Sequence, residues 1–246
     1  MKKFFYLAIA VFCISGIRLT DSLAAEASFN TNVNSAYVWR GITFNDGIVV
    51  QPSLDVTKGG FGFNVWGNLD IDDYDNTLDD GEFSEVDLTL SYGFDIKSVS
   101  ISFGYIEYLF PEIPTRSGAL GTREVYGSIS VEPFTGFTTG VTVYYDFDEV
   151  EDYYVSLNIG YSRELVDKLS MDIGFTAGIA GEDFSETYGG TDDGFYDYNI
   201  SLGLGYAFTD TISASGFIAY ADSFDEDVLP EQDVDVYGGI GASYSF

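Results

Sequence analysis

The chain contains no histidine, and its one cysteine, Cys13, lies near the start. Without histidine, Ser–His and Asp–His catalysis is excluded. With no cysteine beyond residue 13, a disulfide framework is excluded and zinc is implausible. Cations are also scarce: 10 Lys and Arg stand against 40 Asp and Glu, a net charge of −30. Such a surface repels DNA and RNA. After residue 25 no apolar run is long enough for a transmembrane helix, and helical periodicity is missing. What remains is Gly (28), Phe (21) and Tyr (19). An aromatic share of 17% argues against a disordered acidic protein.

The first residues read as an export signal, residues 1–25. Lys2 and Lys3 precede the apolar run Phe4–Ile17, and Ala25-Glu26-Ala27 offers a cleavage site. Phe12 before Cys13 disfavours a lipoprotein site. Residues 26–246 are then one domain with no linker.

That domain is built on a two-residue alternation, cleanest from Tyr196 to Phe208. Tyr196, Tyr198, Ile200, Leu202, Leu204, Tyr206 and Phe208 share one face; Asp197, Asn199, Ser201, Gly203, Gly205 and Ala207 share the other. The chain has little with which to cover so many apolar faces, so lipid is the natural cover. Twelve strands are predicted, at 28–40, 48–58, 60–72, 84–96, 98–110, 123–133, 136–148, 152–163, 168–180, 195–208, 211–222 and 234–246. The fold class is all-β, a 12-stranded antiparallel up-and-down transmembrane β-barrel. Pro52 lies within the second strand and calls for a bulge or a later strand start.

Short connections alternate with mostly longer ones at 41–47, 73–83, 111–122, 148–152, 181–194 and 223–233. Lys58, Lys97 and Lys168 sit at the short turns, and acids crowd the long loops. This asymmetry places both termini on the periplasmic side of a bacterial outer membrane, below a negative outer mouth. Val234, Val236, Ile240, Ala242, Tyr244 and Phe246 alternate outward, and a terminal Phe246 resembles the signal read by the barrel-assembly machinery.

Inward-facing charges are the candidate pore-lining and selectivity residues: Arg40, Asp70, Asp72, Glu85, Asp87, Asp146, Asp197 and Asp235. Arg40 is expected to pair with Asp70, Glu85 or Asp235, either as a structural hub or as a charge at a constriction. Within 28–40, alternation turns Tyr37 and Trp39 to lipid and Val38 and Arg40 inward. Trp66, Tyr126, Tyr144 and Phe217 face inward and fill the tube or stack on solutes. Pairs such as Glu85/Asp87 and Asp70/Asp72 have acid–base spacing, but a hydrated polar wall explains them better. The loop from Asp75 to Gly81 places its glycine one position late for a calcium loop, so no specific metal is expected. No cofactor and no enzymatic activity are expected.

Ser35-Ala36-Tyr37-Val38-Trp39-Arg40-Gly41-Ile42-Thr43 resembles the opening S-x-Y-x-[FW]-R-G-x-[ST] of the TorF-type porins, proteobacterial outer-membrane conserved hypothetical proteins. The likeness continues at Val50–Asp55, Trp66–Asp70, Glu85–Leu88, Gly104–Pro111 and Glu124–Ser128. It implies an outer-membrane barrel acting as a porin. Together with the acidic mouth, it leads to the expectation of passive diffusion of small cationic or neutral solutes. The alternative is a closed structural or adhesion barrel whose acidic loops bind a surface partner or divalent-bridged lipopolysaccharide. Lipid and lipopolysaccharide are the expected surroundings in either case.

Overall fold

The computed structural model describes residues 25–71, 81–111 and 118–246. The predicted export signal, Asp72 and most of the loop from Asp75 to Gly81 lie outside the described residues. Twelve strands close into an antiparallel barrel. They are β1 (Glu26–Asn34), β4 (Val49–Lys58), β5 (Phe61–Asp70), β6 (Phe83–Ile96), β7 (Val99–Leu109), β8 (Gly121–Phe134), β9 (Phe137–Asp146), β10 (Tyr153–Val166), β11 (Leu169–Ala180), β12 (Gly194–Ala207), β13 (Ile212–Ser223) and β14 (Val236–Ser245). Each pairs with its neighbours in sequence, and β1 closes the ring on β14 through Phe29↔Tyr244 to Asn34↔Gly239. Two short strands, β2 (Tyr37–Trp39) and β3 (Ile42–Asn45), form a separate two-stranded sheet. One helix, α1 (Glu182–Thr187), lies between β11 and β12.

The alternation decides which side chains face out. Leu90, Ile129, Leu202, Ile218 and Ile240 stand on the outer wall, and Ile240 is 69% exposed. A closed barrel with isoleucine and leucine spread around its outside needs lipid to cover them. Aromatics rim the belt at both ends. Phe61–Tyr92 and Phe134–Phe137 (4.7 Å each) mark the short-turn end, and Phe195–Phe224 (5.4 Å) marks the long-loop end. The short turns carry the backbone that tight hairpins require. Gly59 and Gly60, at φ 57° and 88°, join Lys58 to Phe61 in the mirror-image turn that matches strand twist.

This facing predicts an asymmetric mutational response. Leu202→Arg should weaken insertion by about 2–4 kcal/mol, and the neighbouring inward Ser201→Arg by much less. Refolding into lipid vesicles at graded urea measures both; a larger cost at Ser201 would reverse the assigned facing.

Four local expectations are corrected. The first predicted strand, 28–40, stops at Asn34. The chain breaks at Ser35-Ala36 and turns inward as the β2–β3 hairpin, so Tyr37 is buried rather than facing lipid and Trp39 joins an internal cluster. Tyr196 is also internal, at 0% exposure, because the β11–β12 register slips between Ala177↔Tyr198 and Ile179↔Phe195. That bulge turns Tyr196 and Asp197 to the same side. Pro52 is accommodated without a bulge or a new strand start. It keeps its rung with Thr31 of β1, while the bridges to β5 skip from Val50↔Leu69 to Ser53↔Trp66 at unchanged register. At the other end, Val234 precedes β14 and packs on the inner cluster of Ala36, Ala219, Ala221 and Tyr237 rather than outward.

Candidate functional site

The lumen divides into two zones. Near the short turns its wall is amide, hydroxyl and carboxylate, half-buried and hydrogen-bonded along the wall. Asn30 and Asn64 donate to the two oxygens of Asp55 (2.8 and 2.7 Å), and Thr176 donates to Asn158 (3.1 Å). Near the long loops the lumen is filled. Its apolar cluster joins Ile42 of the hairpin, Phe184 of α1, and Val228 and Leu229 of the following loop to wall residues Tyr108, Tyr144, Tyr154 and Tyr196.

Each filler is held by a specific bond. Asp152, beside β10, accepts from the Phe184 backbone N–H (3.0 Å), and Ser185 donates to the Val228 carbonyl (2.6 Å). The hairpin is tied by side chains. Tyr37 donates to Glu85 (2.9 Å), Asn45 to Asp70 (2.7 Å), and the Thr43 backbone N–H to Gln232 (2.9 Å). Burial, then the Glu85 carboxylate, pushes the Tyr37 phenol well above its ordinary pKa, so it remains a donor.

Arg40 sits at the hairpin tip and is the centre of the packed zone. Its two terminal nitrogens donate to the two oxygens of Glu124 on β8, each at 2.7 Å. Its guanidinium carbon lies 4.2 Å from the Trp39 ring centroid, 4.4 Å from Tyr144 and from Tyr154, and 5.5 Å from Phe184. Tyr108 donates to the same carboxylate (2.8 Å). Burial opposes the guanidinium charge, but Glu124 outweighs it, and Arg40 is held above its ordinary pKa. The tip requires unusual backbone: Arg40 is at φ 49° and Gly41 at φ 78°. A Cβ on Gly41 would lie 2.6 Å from Asp197 Cβ and 2.8 Å from Leu229 Cδ2. Gly41→Ala therefore meets both strain and a clash, and should lower unfolding stability by about 1–3 kcal/mol. A denaturant titration with no shift in midpoint would contradict the inserted hairpin.

The other candidates take distinct places. Asp70 accepts from Asn45 and Asn68 in a buried amide network that continues through Gln51 to Asn34. Glu85 holds Tyr37, and Asp87, on the same strand, has one buried oxygen without a partner. Asp146 caps its own loop, accepting from the N–H groups of Asp148, Glu149 and Val150 and from Thr122. Asp197 accepts from Tyr154 (2.7 Å). Asp235 is exposed in the loop before β14. The structure thus brings Asp70, Glu85, Asp146 and Asp197 into the packed layer and leaves Asp235 outside it. Arg40 pairs with Glu124, not with Asp70, Glu85 or Asp235. Glu124 was missed, yet it lies two residues from inward-facing Tyr126 and shares its parity. Trp66 packs against Tyr37 (5.5 Å), Tyr126 against Tyr144 (5.6 Å) and Phe217 against Tyr237 (6.0 Å), so the inward aromatics fill space.

A family described as a bacterial protein of unknown function (Gcw_chp) matches residues 20–237. The chain belongs to this family. No curated protein matches it. Among solved structures it is similar to the KdgM porin (TM-score 0.53, 11% identity, covering 90% of this chain and 99% of that one). It is also similar to the NanC porin (TM-score 0.52, 11% identity, 90% and 98%). A third likeness is to the COG4313 outer membrane channel from Pseudomonas putida F1 (TM-score 0.55, 9% identity, 90% and 94%). At these identities the likeness is one of fold: a closed barrel shared with outer-membrane channels.

Proposed function

We propose that this Gcw_chp member is an outer-membrane porin of the TorF type, with both termini periplasmic, that passes small cationic or neutral solutes. The observation that carries this reading is the lumen of the short-turn zone. Its inward row of Asn30, Ser53, Asp55, Asn64, Asn158 and Thr176 is polar and reachable by water, inside a wall whose outer face is apolar. The channel folds of the similar structures agree with it. Cation preference follows from the exposed loop acids Glu182, Asp183, Glu186, Asp192, Asp193, Asp225, Glu226 and Asp227, which raise the local cation concentration. The test is a reversal potential in planar bilayers under a KCl gradient. Its sign should favour K⁺; a sign favouring Cl⁻, or no conductance under any condition, would overturn the reading.

The packed outer zone favours a second reading, a closed barrel whose acidic loops bind a surface partner. Deleting residues 181–194 separates the two. The porin reading predicts larger conductance, because Phe184 leaves the lumen. The adhesion reading predicts lost attachment with conductance unchanged.

A further inference from the structure

Arg40 occupies a pocket whose recognition chemistry does not depend on the arginine being part of the chain. Tyr144 and Tyr154 come from the barrel wall, Phe184 from α1, and Glu124 from β8. None of the four lies on the hairpin. They are also held in advance: Tyr108 donates to Glu124, and Tyr154 donates to Asp197. Aromatic faces around a cation, with a carboxylate bonded in a fork, form a guanidinium receptor. The occupant is carried by an element outside the wall ladder. The β2–β3 sheet makes no ladder with the barrel, and Arg40 takes a left-handed backbone that a non-glycine residue adopts at a cost. A free guanidinium pays no such backbone cost.

We propose that this cage is a binding site for guanidinium-bearing solutes, occupied from within by Arg40, and that a free guanidinium displaces Arg40 and releases the β2–β3 hairpin. The site deepens the porin reading by naming a solute class, but binding at it does not require conduction, so the two fail separately. Selectivity for guanidinium over quaternary ammonium comes from Glu124. A tetraalkylammonium can meet the rings but has no N–H to donate to the carboxylate.

The experiment uses the full barrel in detergent micelles with Trp66→Phe, leaving Trp39 as the reporter, since the chain has two tryptophans. Methylguanidinium chloride is titrated against NaCl at equal ionic strength, urea as a neutral isostere, and tetramethylammonium chloride. Methylguanidinium should give a saturable red shift of Trp39 emission that NaCl and urea do not give, with tetramethylammonium weaker. Adding Arg40→Asn removes the internal competitor and should tighten methylguanidinium binding, now read by titration calorimetry, about ten-fold. Adding Glu124→Gln should abolish it. If Arg40→Asn does not fold, Arg40→Gly accepts the same backbone and serves instead. A response equal to that of NaCl, tetramethylammonium binding as tightly as methylguanidinium, or no tightening without Arg40 would each overturn the proposal.

Discussion

Glu124→Gln is expected to lower the unfolding free energy by about 3–5 kcal/mol, because it leaves the Arg40 charge buried without its counter-ion. The side chains of the pair are 4% and 3% exposed, so water cannot replace the lost partner. Arg40→Gln should cost a similar amount by leaving Glu124 without its fork, and also loses the contacts to four rings. The two effects should not add. The double variant Arg40→Met/Glu124→Leu removes both charges together and should recover most of the loss, since the desolvation of each ion is also removed. Urea unfolding in lipid vesicles reads all four proteins. Costs below about 1 kcal/mol for both single variants would place the pair in water rather than in a packed layer.

Phe184→Ala is expected to cost about 3–5 kcal/mol, a large-to-small change at a side chain 1% exposed. Phe184 touches the rings of Trp39, Tyr154, Tyr188 and Tyr196, at centroid distances from 5.1 to 6.2 Å. Its helix has six residues and no side-chain N-cap, so it is placed by this packing and by Asp152 rather than by helical propensity. The barrel ladder does not depend on it. The loss should therefore be local: Trp39 emission shifts to the red while the β-sheet circular dichroism is unchanged. Loss of the sheet signal along with the packed layer would show that the plug and the wall form one cooperative unit.

The wall was legible in the sequence because lipid outside and water inside impose a strict two-residue code on every strand. β4 through β14 fall within about three residues of their predicted bounds for that reason. What lies inside the barrel obeys no such code. Tyr37-Val38-Trp39-Arg40 alternates as a wall strand would, and it does form a strand, but one in a separate sheet behind the break at Ser35-Ala36. Alternation places Tyr196 toward lipid because it carries no mark of the bulge opposite Gly178. The six residues of α1 are too few to show a helical period. Parity turns Arg40 inward, as a hub or a charge at a constriction, but its partner is 84 positions away on another strand, and no local pattern reports a contact across a barrel. The acids expected at an open mouth divide for a related reason. Parity shows that Asp70, Glu85 and Asp197 face inward, while only the inserted hairpin explains why Asp70 and Glu85 hold Asn45 and Tyr37 rather than water; Asp197 instead accepts from Tyr154 of the wall strand β10.

The central claim is that a water-lined channel is closed at its long-loop end by a hairpin pinned through Arg40 and Glu124. Planar-bilayer recording of the wild type beside Arg40→Gln tests it most directly. The account predicts small or infrequent openings for the wild type, and a larger open fraction with the same sign of reversal potential for Arg40→Gln. Identical traces from the two proteins would contradict it.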